Sequence, residues 1–440
     1  MRLVCSLTGA SLCTGLLMAL STPASAAVDA KLLDMLRANG SITQAQYGEL
    51  SAELAKDTQA KQQADAAQAQ ALADVKAKKD ELSSFEQKVA WAAKTQVKGD
   101  VRFRQEMVDT ENAAASNVDG DRTADRQRIR ARVGFYSQIN PDVDTGIRIA
   151  TGSSNDRRST NENLDTAFAK KSLWLDMGYI DWHPAALPNL HLIGGKMAQP
   201  WVAMGDIIWD GDINPEGVAA TYKVPLGGGT ELFGSTGYYT LRDNIDSEGY
   251  QFKHDLSMYT AQGGAKFALG EAVGVTVGAS YYGFRNDDND ADSATRILAV
   301  NGNTATEFKL YEGFGQIDLK TLPVPLSLYG QYVKNGDATD DADQAWLAGV
   351  KSKLGAFSVD YNYRDVQRNA VIGAFTDSDF ANGFTASRGH KLKLGYDINK
   401  NFALGVTYFL AQTDGLAAGT STKASDVDVK TLQLDLEAKF

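Results

Sequence analysis

From Thr95 to the C-terminal Phe440, apolar and polar residues alternate over segment after segment of about ten positions. Successive side chains of a strand point to opposite faces, so this period of two fits a sheet with one wet and one dry face. Sixteen such segments are read, beginning 95–105, 126–139, 144–153 and 168–183 and ending 428–440. The connections sort into two kinds. Short ones, such as Asn140 to Val143, Pro184 to Pro188, Gly270 to Ala272 and Asn399 to Asn401, alternate strictly with long polar ones. The long ones are 106–125, 154–167, 200–215, 242–257, 286–306, 335–343, 366–388 and 413–427. An even strand count with turns on one rim and long loops on the other is the pattern of a transmembrane β-barrel.

No stretch of 18 apolar residues occurs beyond the N-terminal leader, so a membrane-embedded mature chain must cross by strands. The fold expected is therefore all-β: a transmembrane antiparallel β-barrel of about 16 strands over 95–440. The last strand places Leu432, Leu434, Leu436, Ala438 and Phe440 on one face and Gln433, Asp435, Glu437 and Lys439 on the other. An alternating strand with a terminal aromatic resembles the signal read by barrel-assembly machinery, which makes Phe440 the candidate assembly residue.

Ahead of the barrel two other segments are read. Residues 1–26 have a charged Arg2, an apolar run from Leu3 to Leu20 and Ala24-Ser25-Ala26, and read as a secretory signal peptide. Residues 27–93 are expected to be a periplasmic helical segment. Asn39-Gly40 would close a first helix, and Thr43 with Gln46 would form a capping box opening the next. Leu72, Val75, Leu82 and Val89 make a weak heptad and a possible short coiled coil.

The formal charge of −11 argues against a nucleic-acid partner. Cys5 and Cys13 both lie in the leader, so the mature chain has no thiol for catalysis or zinc. The four histidines fall in no metal-ligand pattern, and the acidic run Asp287, Asp288, Asp290 and Asp292 reads as a solvated loop before it reads as a calcium site. No metal, cofactor or enzymatic activity is expected.

Parity assigns the inner wall. Arg126, Arg128, Arg130 and Arg132 share one face of the second strand, opposite Ile129, Ala131 and Val133. On a lipid face each arginine would cost roughly 2–4 kcal/mol near the bilayer midplane, so they must face the lumen. Arg102, Arg104 and Arg148 face inward by the same rule. The third long loop, 200–215, holds Asp206, Asp210 and Asp212, followed by Glu216, among apolar Trp201, Ile207, Ile208 and Trp209. An apolar loop of this kind is expected to fold into the barrel and narrow it. Acidic loop and basic wall would then set a field across the passage that sorts polar solutes by charge, or the arginines would simply pair with carboxylates and brace the wall.

Six stretches carry a family likeness: Arg126 to Arg132, Ala150-Thr151-Gly152-Ser153, Lys171 to Asp176, Tyr179-Ile180-Asp181-Trp182, Gly195-Lys196-Met197, and above all Trp209-Asp210-Gly211-Asp212-Ile213-Asn214-Pro215-Glu216-Gly217. On these the chain from about 95 to 440 resembles the "Putative porin" family of Gram-negative outer membranes. Leu36 to Tyr47 resembles the N-terminal helix of phosphate-selective porins. The resemblance implies an outer-membrane diffusion channel for small polar or ionic solutes, a homotrimer in outer-membrane lipid. A tether whose helical segment holds peptidoglycan or a partner is the alternative.

Overall fold

The structure is a computed structural model describing residues 30–111, 122–154, 156–245, 251–291, 297–414 and 427–440. The signal-peptide reading of 1–26 and the position Asp292 lie outside them. The chain divides into two compact units, one ending at Val89 and one running from Ala90 to Phe440.

The first unit is helical. α1 spans Ala30–Ala38 and α2 begins at Gln44 and continues to Ala93. The capping box forms: Gln46 N–H donates to Thr43 Oγ1 at 3.3 Å, and Thr43 N–H donates to Gln46 Oε1 at 3.0 Å. Tyr47 Oη donates to Asp34 at 2.6 Å and ties the two helices. Leu72, Val75 and Leu82 stand exposed on α2, which has no apolar stripe wide enough to bury against its own unit.

The second unit is a closed antiparallel barrel. Its strands are β1 Thr95–Glu111, β2 Arg122–Asn140, β3 Val143–Thr151, β4 Leu173–Trp182, β5 Leu190–Lys196, β6 Glu216–Gly227, β7 Thr230–Arg242 and β8 Leu256–Leu269. They continue with β9 Val273–Arg285, β10 Lys309–Leu319, β11 Leu326–Asn335, β12 Gln344–Leu354, β13 Phe357–Val366, β14 Ser387–Asp397, β15 Phe402–Thr413 and β16 Val427–Lys439. A two-residue bridge, Glu162–Asn163, pairs with Arg128 and Ile129 from the second long loop. Each strand pairs with its sequence neighbours, and β1 pairs with β16 to close the ring. Closure removes the sheet edge that lipid could not satisfy.

The apolar parity faces outward as expected: Val97, Val101, Phe103, Phe135, Ile147 and Leu436 are all exposed. Two boundaries differ from the sequence reading. β1 and β2 run well into 106–125, because Glu106 on the lumen side is matched by Arg126 and Arg128 and alternation therefore continues past the predicted end. The fourth strand starts at Leu173 and not at 168. Ala167 and Phe168 adopt φ of 48° and 66°, which no strand allows, and the Lys171 ammonium turns back to the Asn163 carbonyl.

The seam is finished by the last residue. Phe440 and Gly99 exchange two backbone hydrogen bonds of 3.0 Å, and the Phe440 ring lies over Gly99. A Cβ at Gly99 would stand 2.4 Å from that ring and 2.6 Å from the Arg132 carbonyl, so only glycine admits this approach.

Candidate functional site

Arg102, Arg104, Arg126, Arg128, Arg130, Arg132 and Arg148 turn to the side opposite the exposed apolar residues, and most of them meet a carboxylate. Arg104 grips Asp435 of β16 with two bonds of 2.7 and 2.9 Å and Asp379 with a third of 3.0 Å. Arg130 bridges Asp100 (2.8 Å) and Glu437 (2.7 Å), while Arg132 joins Asp100 (2.8 Å) to Asp212 (3.3 Å). Glu106, 1% exposed, gathers Arg126, Arg128 and Arg104 and accepts Gln433 at 3.0 Å. Arg148 pairs with Asp176. Among the described residues Arg102 makes no ion pair; its guanidinium donates to Asn161 Oδ1 at 2.7 Å. Pairs of this kind are what the bracing reading expects, and a field across the passage is compatible with them, since both can hold at once.

Loop 3, between β5 and β6, folds inward. Trp201, Ile207, Ile208, Trp209 and Ile213 are buried and join lumen-facing Tyr239, Met258, Tyr282, Leu310, Val333 and Leu347 in one apolar core. One side of the lumen is thus filled, and the charged wall bounds the other. The acidic residues of the loop go separate ways. Asp206 pairs with Arg364 of β13 at 2.6 Å and with Lys391 of β14. Asp210 is buried and accepts the N–H groups of Asp212 (2.9 Å) and Ser378 (2.8 Å). Asp212 alone meets the arginine wall, through Arg132, and also accepts Thr160 Oγ1 at 2.9 Å. Glu216 is not brought into the group. It pairs with Lys196 at 2.6 Å, and its parity is that of Val218 and Leu192 on the outer face.

A second loop, 367–386 between β13 and β14, also folds inward, although its polar flanks predict an external connection. Ala370, Val371, Ile372, Ala374 and Phe375 join the same core. Phe375 stacks on Trp209 with centroids 5.2 Å apart, and the Asp210 N–H donates to the Phe375 carbonyl at 2.7 Å. Asp377 shares Arg364 (3.4 Å) and Lys391 (3.2 Å) with Asp206. Arg158, from the second long loop, donates to the carbonyls of Gly373 (3.0 Å), Thr376 (3.2 Å) and Gly383 (3.1 Å). Sequence reasoning missed Arg158, Arg364, Asp377, Asp379 and Lys391. The apolar run Val371-Ile372-Gly373-Ala374-Phe375 was the available signal, of the same kind that revealed loop 3.

Electrostatics divides the loop carboxylates into two groups. Burial alone would raise Asp206, but Arg364 and Lys391 outweigh it and hold the group well below the ordinary range. Burial raises Asp379 too, and Arg104 overrides it downward. Asp210 is pushed well up, by burial first and then by the Asp377 carboxylate. Burial and the Asp206 carboxylate likewise raise Asp377.

Comparison with known proteins gives three kinds of match. The sequence profile described as "Putative porin" matches residues 107–316 and 338–440. A 36-residue stretch is 72% identical to phosphate starvation-inducible protein 1 of Pseudomonas fluorescens, covering 8% of this chain and 92% of that protein. Solved variants of the Rhodopseudomonas blastica porin align over 79% of this chain and 100% of theirs, with 11% identity and a TM-score of 0.41 for a triple mutant. For a further mutant of the same porin the values are 12% and 0.43.

Proposed function

The chain belongs to the "Putative porin" family and is an outer-membrane porin; from that premise we propose that it passes small polar or charged solutes by diffusion through a lumen narrowed by loop 3 and by the seventh long connection, the inward loop 367–386 (loop 7). The observation that carries this reading is the pair of inward loops locked to the wall by Arg132–Asp212, Arg104–Asp379 and Lys391–Asp206. A mere anchor has no need of loops held at fixed depth inside its barrel. The arginine wall of Arg102, Arg104, Arg126, Arg128, Arg130, Arg132 and Arg148 bounds the passage and fixes its shape, and Asp206, Asp210 and Asp212 tie the constriction to its surroundings. In this reading Phe440 is the residue presented to the barrel-assembly machinery, the helical unit lies in the periplasm behind a cleaved leader, and the barrel works as a homotrimer in outer-membrane lipid. The relative named for induction by phosphate starvation puts inorganic phosphate among the solutes to try. Liposome swelling tests the proposal: vesicles holding the purified protein should swell in isosmotic small sugars at rates that fall with solute size, and rates equal to protein-free vesicles would overturn it.

A further inference from the structure

Two cavities run along the inside of the β10–β14 wall. The one of about 550 Å³ starts beside the short turn after β10, at Lys320 and Pro325, and is lined by Asp318, Lys351, Lys353, Asp360 and Lys393. The other, about 300 Å³, lies under loop 3 between Met204, Gly205 and Asp206 and the wall residues Tyr329, Asn362 and Lys391. Asp360 and Lys393 line both, so the two cavities adjoin at these side chains, one toward the short-turn rim and the other under loop 3.

The charges along this route differ from those of the arginine wall. There almost every guanidinium is cancelled by a carboxylate at contact distance. Here Lys320, Lys351 and Lys393 make no ion pair among the described residues, whereas Lys353 is paired with Asp397 at 2.7 Å and Lys391 with Asp206 and Asp377. Of the carboxylates of the route, Asp206 is held by Arg364 and Lys391, while Asp318 and Asp360 accept neutral donors. Asp360 accepts Tyr329 Oη at 2.5 Å, and Asp318 accepts Ser327 Oγ at 2.6 Å and Gln316 Nε2 at 2.7 Å. The Lys351 ammonium sits over the Tyr329 ring at 5.1 Å, which places it beside the cavity. Lys393 stands at the junction, where the cations Lys391 and Arg102 and the carboxylates Asp435 and Asp360 all act on it. Asp360 stands in register between Lys351 and Lys393, so the three groups leave one net positive charge beside the cavity, with no ion pair at contact distance.

We propose that Lys351 and Lys393 are the charge-selecting residues of the channel, and that they concentrate small inorganic anions in the vestibule below loop 3. The proposal rests on the channel reading above. Wherever the passage is narrower than a Debye length, about 8 Å at physiological salt, the field of these two groups reaches across its whole width. The paired arginines contribute shape and little net field.

The test is the reversal potential across planar bilayers in a potassium chloride gradient, for the full chain and for Lys351→Glu/Lys393→Glu. Both side chains reach solvent, so the variant should fold; heat-modifiable migration checks this, and Lys393→Gln serves as the milder variant. The full chain should favour chloride, and the double variant should lower the chloride-to-potassium permeability ratio about tenfold or reverse it, with Lys393→Gln in between. Channels whose ratio is the same in all three overturn the lysine assignment and leave the porin reading standing. A folded protein without channels overturns both.

Discussion

At the scale of single residues, the lumen is governed by where charges are cancelled. Glu106 shows what cancellation is worth. It is 1% exposed and makes the one ion pair Arg128 has among the described residues, so removing it strands a largely buried cation, while Arg104 keeps Asp435 and Asp379. Breaking a buried pair from one side costs about 3–5 kcal/mol. Glu106→Ala should therefore lower the temperature at which the barrel's electrophoretic shift is lost, and an unchanged transition would show that water already solvates Arg128. The inward direction of the arginines was legible in the sequence, because alternation leaves a charged row only one face it can occupy. Their partners were not. Asp435 lies 331 residues from Arg104 and Asp379 lies 275, and no local pattern joins positions so far apart.

Among the elements, the closing strand and the inward loops carry the distinctive chemistry. The Phe440 ring covers Gly99 at the seam, so Gly99→Val should collide with both the ring and the Arg132 carbonyl. Folded, heat-modifiable Gly99→Val at the natural yield would refute this picture of the seam. Deleting Phe440 should reduce outer-membrane levels while export continues, and undiminished levels would count against its part in assembly. The loop pair should respond to pH in a definite order. Asp210 and Asp377 are raised, so the native state gains as pH falls and they take up protons ahead of an unfolded chain. Asp206 and Asp379 are lowered, so their contribution is whole above the ordinary aspartate value of about 3.9 and drains away below it. Thermal stability of the barrel should hold or rise from neutral pH toward about 4 and then drop; a steady decline starting at neutral pH would contradict that order. The strands themselves were readable to within a few residues, since lipid on one side and water on the other enforce the period of two. Loop 367–386 was not read correctly because its flanks, Arg368, Asn369, Asp377 and Asp379, are polar and mask the buried run between them.

For the whole molecule, the two sides of the lumen do different work. Loops 3 and 7 complete an apolar core against β6–β13 and leave the passage to the charged walls. In the channel we propose, the apolar side would give rigidity and the charged walls would sort small solutes. Single-channel recording of the purified, heat-modifiable full chain in a planar bilayer tests this most directly. The account predicts discrete current steps of uniform size with open states lasting far longer than the recording interval. A correctly folded barrel that inserts and gives no steps would contradict it.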